Sequence, residues 1–182
     1  MMRNLVLFFL LTISFLTASA QFKSAFMRAE GFTCALCSNV VYKALEKLPF
    51  IDSVSPDVEH ASFLIHFREG AQADPDAIRK AVEVAGFSVG ELKMIARFNN
   101  VVASPGKPLE YEGIRIHFFG NGETGLDGER TLTFMDKGFV TLKEFKRTAT
   151  GDRAACLQSG RASRCPEGKG LDPNARIYHV SL

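Results

Sequence analysis

Cys34 and Cys37 are the residues of this 182-residue chain whose type and spacing most directly indicate chemistry. A Cys-x-x-Cys pair between a strand-like run and a helix-like run can present both sulfur atoms on one side. The positive end of the helix dipole favours the thiolate forms of these side chains. Thiolates are soft ligands that select Cu(I) above all, with Zn(II) and other thiophilic divalent ions behind it. The pair therefore indicates a metal site, a redox centre or a structural disulfide.

The elements that must position the pair follow from the hydrophobic periodicity between residues 23 and 98. A helical stripe follows the cysteines, and a second helix is well signalled, with Asp74 as its N-cap, Pro75 at its first position and Gly86 as its stop. Alternating runs at residues 25–30, 61–68 and 92–98 predict three strands, and the run 54–58 predicts another. The order βαββαβ predicts an α+β, ferredoxin-like fold: a four-stranded antiparallel sheet covered on one face by two helices.

Three landmarks give residues 24–98 a family resemblance. The segment 31–37, Gly-Phe-Thr-Cys-Ala-Leu-Cys, is similar to the Gly-Met-x-Cys-x-x-Cys motif of heavy-metal-associated (HMA) domains. The run 48–54 resembles that family's Leu-Pro-Gly-Val stretch, and Asp74-Pro75 followed by 85–87 resembles its second helix and the turn after it. The segment thus resembles the fold of copper chaperones and of the N-terminal modules of metal-transporting ATPases. Its departures are Phe32 and Phe50, where methionine and glycine are usual.

The resemblance implies that Cys34 and Cys37 bind one soft ion. Cu(I) is favoured because it tolerates two-sulfur ligation, whereas Zn(II) prefers four ligands. Phe87 occupies a position that lies near the metal loop in this family, where it would shield the ion, although core packing explains the residue equally well. Periplasmic mercury-binding proteins have a similar loop, so Hg(II) is an alternative ion. The implied partner is a metal-donating or metal-accepting protein.

A thiol–disulfide oxidoreductase is the alternative from another class, because it also places Cys-x-x-Cys at a helix start. That chemistry would call for an aromatic-flanked active site and a specially placed proline. The chain has no Trp, and Pro49, Pro56 and Pro75 are explained by a helix stop, an edge strand and a helix start. The favoured prediction is therefore a metal carrier that is not an enzyme.

The first twenty residues predict export. Arg3 precedes the apolar run 5–16, and Ala18-Ser19-Ala20 is typical of a cleavage site, so residues 1–20 are predicted to be a signal peptide of a periplasmic or secreted protein. The apolar run is shorter than the roughly 20 residues of a membrane span, which predicts no stable membrane insertion after cleavage. The formal net charge of +2 gives no electrostatic case for a nucleic-acid partner.

Residues 99–182 are predicted to form a second, small and mainly β domain. Asn99-Asn100 and the Pro- and Gly-containing run 104–108 are typical of a linker or an entry loop. Strand-like runs separated by turn residues occur at 114–119, 130–135, 139–145 and 177–182. The region resembles no family and contains no evident catalytic constellation.

The second cysteine pair, Cys156 and Cys165, lies in a polar stretch of this region. In an exported chain such a pair predicts a disulfide that closes a loop. The alternative is a second thiophilic site that adds His179. The remaining histidines, His60, His66 and His117, are interpreted as packing or surface residues.

Overall fold

The computed structural model describes residues 22–31, 35–120 and 122–182; the predicted signal peptide and Cys34 lie outside the described residues. The described residues form eight strands: β1 Phe22–Glu30, β2 Ile51–Asp57, β3 Ser62–Phe67, β4 Ser88–Ala103, β5 Leu109–Tyr111, β6 Ile114–Phe118, β7 Thr124–Phe134 and β8 Ile177–Ser181. They also form four α-helices: α1 Ala35–Leu45, α2 Pro75–Val84, α3 Leu142–Thr148 and α4 Ala154–Ser159. No helix among these residues is long and apolar enough to cross a membrane.

The first four strands and two helices have the predicted βαββαβ order. Their strands lie side by side as β2-β3-β1-β4, each pair antiparallel. Helix α2 begins as its sequence predicts: the Asp74 carboxylate accepts a hydrogen bond from the Ala77 amide at 3.2 Å, and Pro75 takes the first position. Ile78 and Val82 of this helix are buried. The α+β, ferredoxin-like fold is therefore confirmed.

Strand β4 carries the sheet beyond this unit. It runs to Ala103 and pairs with β7 along most of its length, with an irregularity between Phe98 and Val101 where Asn100 adopts a φ of 49°. A bulge of this kind adds a local bend without ending the strand. Asn99 and Asn100, predicted to lie in a linker or an entry loop, are thus part of β4. A single sheet in the order β2-β3-β1-β4-β7-β8-β6-β5 crosses the boundary predicted at residue 99.

The C-terminal region is rich in strands but also contains helices. The predicted strands at 114–119, 130–135 and 177–182 are present in β6, β7 and β8, and β8 lies parallel to β6 and antiparallel to β7. The predicted strand at 139–145 is wrong, because helix α3 begins at Leu142. The Thr141 hydroxyl accepts a hydrogen bond from the Glu144 amide at 3.1 Å and so caps this helix. Local capping outweighs the strand preference of the apolar run.

One apolar core extends through both halves of the chain. Phe22, Phe63 and Leu92 come from the first half, and Phe134 and Phe139 from the second; all five are fully buried. Each such side chain contributes roughly 1.5–3 kcal/mol on burial. A second, smaller cluster contains both cysteines of the C-terminal pair: Cys156, Ala162, Cys165 and Ile177.

A polar contact also joins the two halves. Arg176 Nε donates to Asp76 Oδ2 at 2.9 Å, the Tyr178 hydroxyl donates to the same oxygen at 3.0 Å, and the Arg176 guanidinium lies 4.1 Å from the Tyr178 ring centre. Burial alone would raise the pKa of Asp76, but the bonds from Arg176 and Tyr178 outweigh it and lower this pKa. Burial, with the neighbouring Asp76 carboxylate, raises the pKa of Tyr178. Helix α2 is therefore held to β8 by charge-assisted bonds.

Candidate metal-binding sites

Cys37 lies in the first turn of helix α1, as its third residue, and is half-buried. Amide groups in a first turn have no partner within the helix, and their partial positive charge stabilises a thiolate. Leu36 and Val40 beside it are 76% and 50% exposed, so apolar surface surrounds this end of the helix. Cys34, the other predicted ligand, lies outside the described residues. The helix thus holds one predicted ligand near the surface, in an electrostatic setting that favours the thiolate form needed to bind a soft ion.

Phe87 lies against Gly31, the first residue of the sequence segment 31–37 that contains both cysteines. Gly31 adopts a φ of +91°, and a Cβ built on it would lie 3.7 Å from Cδ1 of Phe87. The Phe87 amide donates to the Val82 carbonyl at 3.1 Å, so the end of helix α2 fixes the position of the ring. Phe87 also packs against the main apolar core. The Phe87 side chain therefore contacts both the apolar core and Gly31, at the start of the segment 31–37.

The sequence around the first cysteine pair is uncharged. Residues 31–39 read Gly-Phe-Thr-Cys-Ala-Leu-Cys-Ser-Asn, so the two cysteines are the only residues with ionisable side chains in this segment. Sulfur is consequently the only strong ligand type that the segment supplies. Such a donor set suits soft cations of low coordination number.

Residues 26–88 match the sequence profile of the family described as "Heavy-metal-associated domain". This segment is a heavy-metal-associated domain. Residues 99–182 match no family, and no curated protein matches the chain.

Solved structures similar to the chain correspond to little more than a third of it. A CopZ metallochaperone is 20% identical and covers 36% of this chain and 97% of its own, with a TM-score of 0.34. An oxidised MerP from Ralstonia metallidurans CH34 is 23% identical and covers 38% and 96%, with a TM-score of 0.35. The yeast copper transporter domain Ccc2a, in its apo and Cu(I)-load states, is 18% identical and covers 37% and 90%, with a TM-score of 0.33.

The second cysteine pair lies outside the HMA domain, in the smaller apolar cluster. Cys156 of helix α4 and Cys165, which separates two short 3-10 turns, are joined by a disulfide, with their Cα atoms 4.6 Å apart. The two residues are only 1% and 7% exposed. In this form the sulfur atoms are bonded to each other and offer no thiolate.

His179 of β8 lies directly beside this disulfide. Its Nε2 atom is 3.0 Å from the Cys156 sulfur and 3.9 Å from the Cys165 sulfur. Asp136 holds the residue from the other side: its Oδ1 is 2.7 Å from His179 Nδ1, and its Oδ2 accepts the His179 backbone amide at 2.8 Å. A proton on Nδ1 shared with Asp136 leaves the lone pair of Nε2 directed at the sulfur atoms. The predicted trio of two cysteines and His179 is thus brought together.

Three further residues lie beside His179 or the disulfide and were not predicted as part of a site: Asp136, Glu167 and His117. Strands β6 and β8 pair His117 with His179 in parallel register, and their rings are 5.5 Å apart. His117 Nε2 is 3.6 Å from Glu167 Oε1, and the two side chains are 4% and 8% exposed. Burial lowers the pKa of His117 and outweighs the opposing effect of Glu167. His117 is therefore buried beside His179. His60 and His66 are exposed, in agreement with their interpretation as packing or surface residues.

The turn that carries Glu167 is packed tightly. A Cβ on Gly168 would collide with the backbone carbonyl of Ala162 in the preceding 3-10 turn. The Gly168 amide also donates to the Cys165 carbonyl at 3.0 Å. Only a residue without a side chain fits here, and this contact keeps Glu167 beside the disulfide. No local signal marks these three residues in the sequence, because the sheet register and this turn bring them together from distant positions.

Proposed function

We propose that this protein is an exported metal carrier that holds one Cu(I) ion between Cys34 and Cys37 of its HMA domain. The observation that carries the proposal is the match of residues 26–88 to the heavy-metal-associated family, with Cys37 in the first turn of helix α1 and Cys34 three residues before it in the sequence. The uncharged, sulfur-only segment 31–39 supports a soft ion of low coordination number.

Transfer to a partner protein proceeds by exchange of thiolate ligands. A partner cysteine loses its proton and bonds to the ion, one Cu–S bond of the carrier breaks, and the released thiolate takes up a proton. A second exchange completes the transfer, and copper remains Cu(I) throughout. The half-buried position of Cys37 and the exposed side chains of Leu36 and Val40 support this step, because a partner can approach this end of the helix.

The carrier performs no net chemistry on its cargo, so we propose that it is not an enzyme. Its partner is a protein that donates or accepts the ion. The signal peptide predicted at residues 1–20 supports a proposal that this exchange occurs in the periplasm or outside the cell. In that oxidising setting bound metal protects the cysteine pair, because thiolates that ligate an ion are not available to form a disulfide.

Anaerobic titration of the reduced chain without residues 1–20 tests the proposal. A chromophoric Cu(I) chelator serves as competitor, and we expect the chain to withdraw one equivalent of Cu(I) from it. The double variant Cys34→Ser/Cys37→Ser should withdraw none. Asn39→Ala, an exposed change on the same helix, is the matched control and should bind like the parent chain.

Three results would overturn the assignment. Retention of one equivalent by the double variant would move the Cu(I) site elsewhere in the chain. Binding of Hg(II) in competition with excess Cu(I) would make the carrier a mercury-binding protein. Rapid turnover in an insulin-reduction assay with weak affinity for metal would make it a thiol–disulfide oxidoreductase.

A further inference from the structure

We infer that the C-terminal region contains a second metal site, open only in the dithiol form, in which Cys156, Cys165, His179 and Glu167 bind one Zn(II) ion. One ligand atom from each of the four residues lies within 4.8 Å of the ligand atoms of the others. All four residues lie outside the HMA domain, so the site is independent of the Cys34–Cys37 pair.

The orientation of His179 suits a metal ligand. Asp136 binds both its Nδ1 and its backbone amide, which fixes the ring and directs Nε2 at the two sulfur atoms. A histidine that ligates a metal characteristically has a carboxylate at its second ring nitrogen, and this partner sets the tautomer. Disulfide sulfur has no proton to donate, so the present neighbours of Nε2 do not satisfy its lone pair.

Two buried polar atoms near His179 and the disulfide lack hydrogen-bond partners. Oε2 of Glu167 and Nδ1 of His117 are buried and have no hydrogen-bond partner. Buried polar atoms in native proteins nearly always have one. The Glu167 carboxylate lies in a tightly packed turn, with Oε1 3.6 Å from His117 Nε2, so a cation beside it would satisfy the unpartnered oxygen.

The chemistry of the four side chains suits Zn(II). Two thiolates, one imidazole and one carboxylate supply the four ligands of a tetrahedral Zn(II) site. This mixture differs from the HMA segment 31–39, whose sequence contains no imidazole and no carboxylate. Imidazole and carboxylate favour the borderline ion Zn(II) over the softer Cu(I).

The disulfide controls the site, so its opening requires a dithiol reductant. The S–S bond between Cys156 and Cys165 breaks and each sulfur gains a proton and an electron, while the external dithiol loses two protons and two electrons and closes its own disulfide. Zn(II) then displaces the two thiol protons. The oxidised chain has no thiolate at this position and cannot bind the ion.

The test uses the chain without residues 1–20 that carries Cys34→Ser and Cys37→Ser, so that the HMA pair cannot contribute. After anaerobic reduction with dithiothreitol and its removal, Zn(II) is titrated against a chromophoric chelator. We expect one equivalent to bind and both remaining thiols to become protected from a thiol reagent. Co(II) should give thiolate charge-transfer absorption, and the oxidised chain should bind neither ion.

Variants identify the ligands. Asp136→Asn should weaken Zn(II) binding by about 10–100-fold, and His179→Ala should weaken it further. The exposed His66→Ala is the matched control and should have no effect. Should His179→Ala fail to fold by circular dichroism, Glu167→Gln, which keeps the shape of the side chain, takes its place and should weaken binding at least about 10-fold.

Absence of Zn(II) uptake by the reduced chain would overturn the inference, as would unchanged affinity in the folded histidine or glutamine variant. Either failure leaves Cu(I) binding by the HMA pair untouched, because that pair is missing from the protein tested.

Discussion

The two cysteine pairs of this chain differ in exposure and in the side chains around them. Cys37 is half-buried at the start of helix α1, in an uncharged segment, whereas Cys156 and Cys165 form a buried disulfide beside His179 and Glu167. A sulfur-only site near the surface suits transfer of an ion, because a partner can reach it. A buried pair with mixed ligands suits retention. The side chains around two cysteines, more than the spacing between them, thus determine whether the pair is suited to transfer or to retention of an ion.

The largest expected difference between the pairs is in stability. Cys156→Ser with Cys165→Ser should lower the free energy of unfolding of the oxidised, metal-free chain by about 2–3 kcal/mol, because the disulfide closes a loop over a sequence separation of 9. Cys34→Ser with Cys37→Ser should cost less than about 1 kcal/mol. Urea unfolding with a chelator present measures both. Equal losses for the two double variants would contradict the distinction.

A smaller effect tests whether the HMA domain and the C-terminal region unfold together. Asp76→Asn removes the carboxylate that Arg176 and Tyr178 contact and should cost about 1–2 kcal/mol at pH 7. Because the pKa of Asp76 is lowered in the folded chain, its contribution is present above the ordinary carboxyl pKa and is lost as the pH falls below about 4.

Urea unfolding at neutral and acidic pH checks this dependence. The parent chain should lose the Asp76 contribution in acid, and Asp76→Asn should lack that loss. Asp52→Asn, an exposed change on β2, is the control and should follow the parent chain. A constant difference between the parent chain and Asp76→Asn from pH 7 to pH 3 would show that this contact does not titrate as described.

The smallest expected effect is on the rate at which the Cys34–Cys37 pair loses Cu(I). Phe87→Ala removes the ring that lies against Gly31 and should speed the loss of Cu(I) to a competing chelator by about 10-fold or less, with the stoichiometry unchanged. Stopped-flow transfer to a chromophoric chelator measures this rate. Val84→Ala, an exposed change at the end of helix α2, is the control. Identical rates for both variants would leave Phe87 a core residue only.

Much of the HMA domain could be predicted from the sequence because its signals are local. Asp74 and Pro75 mark the start of helix α2 within two residues, and the alternation in β1 and β3 is visible in short windows. The prediction of a strand at 139–145 was wrong for a reason that is also local, because Thr141 caps a helix there.

The second site could be predicted only in part. Its cysteines and His179 stood out by residue type, but Asp136, Glu167 and His117 did not. Their positions depend on the parallel register of β6 with β8 and on the turn at Gly168, where any side chain would collide with the backbone carbonyl of Ala162. Such contacts join residues far apart in sequence, so no local pattern records them.

Site-specific alkylation of the Cu(I)-loaded chain, read by mass spectrometry, tests the central claim most directly. One equivalent of Cu(I) added to the reduced chain without residues 1–20 should protect Cys34 and Cys37 and leave Cys156 and Cys165 as reactive as in the metal-free chain. Protection of Cys156 and Cys165 instead, or no protection of any cysteine, would contradict the assignment of the carrier site to the HMA domain.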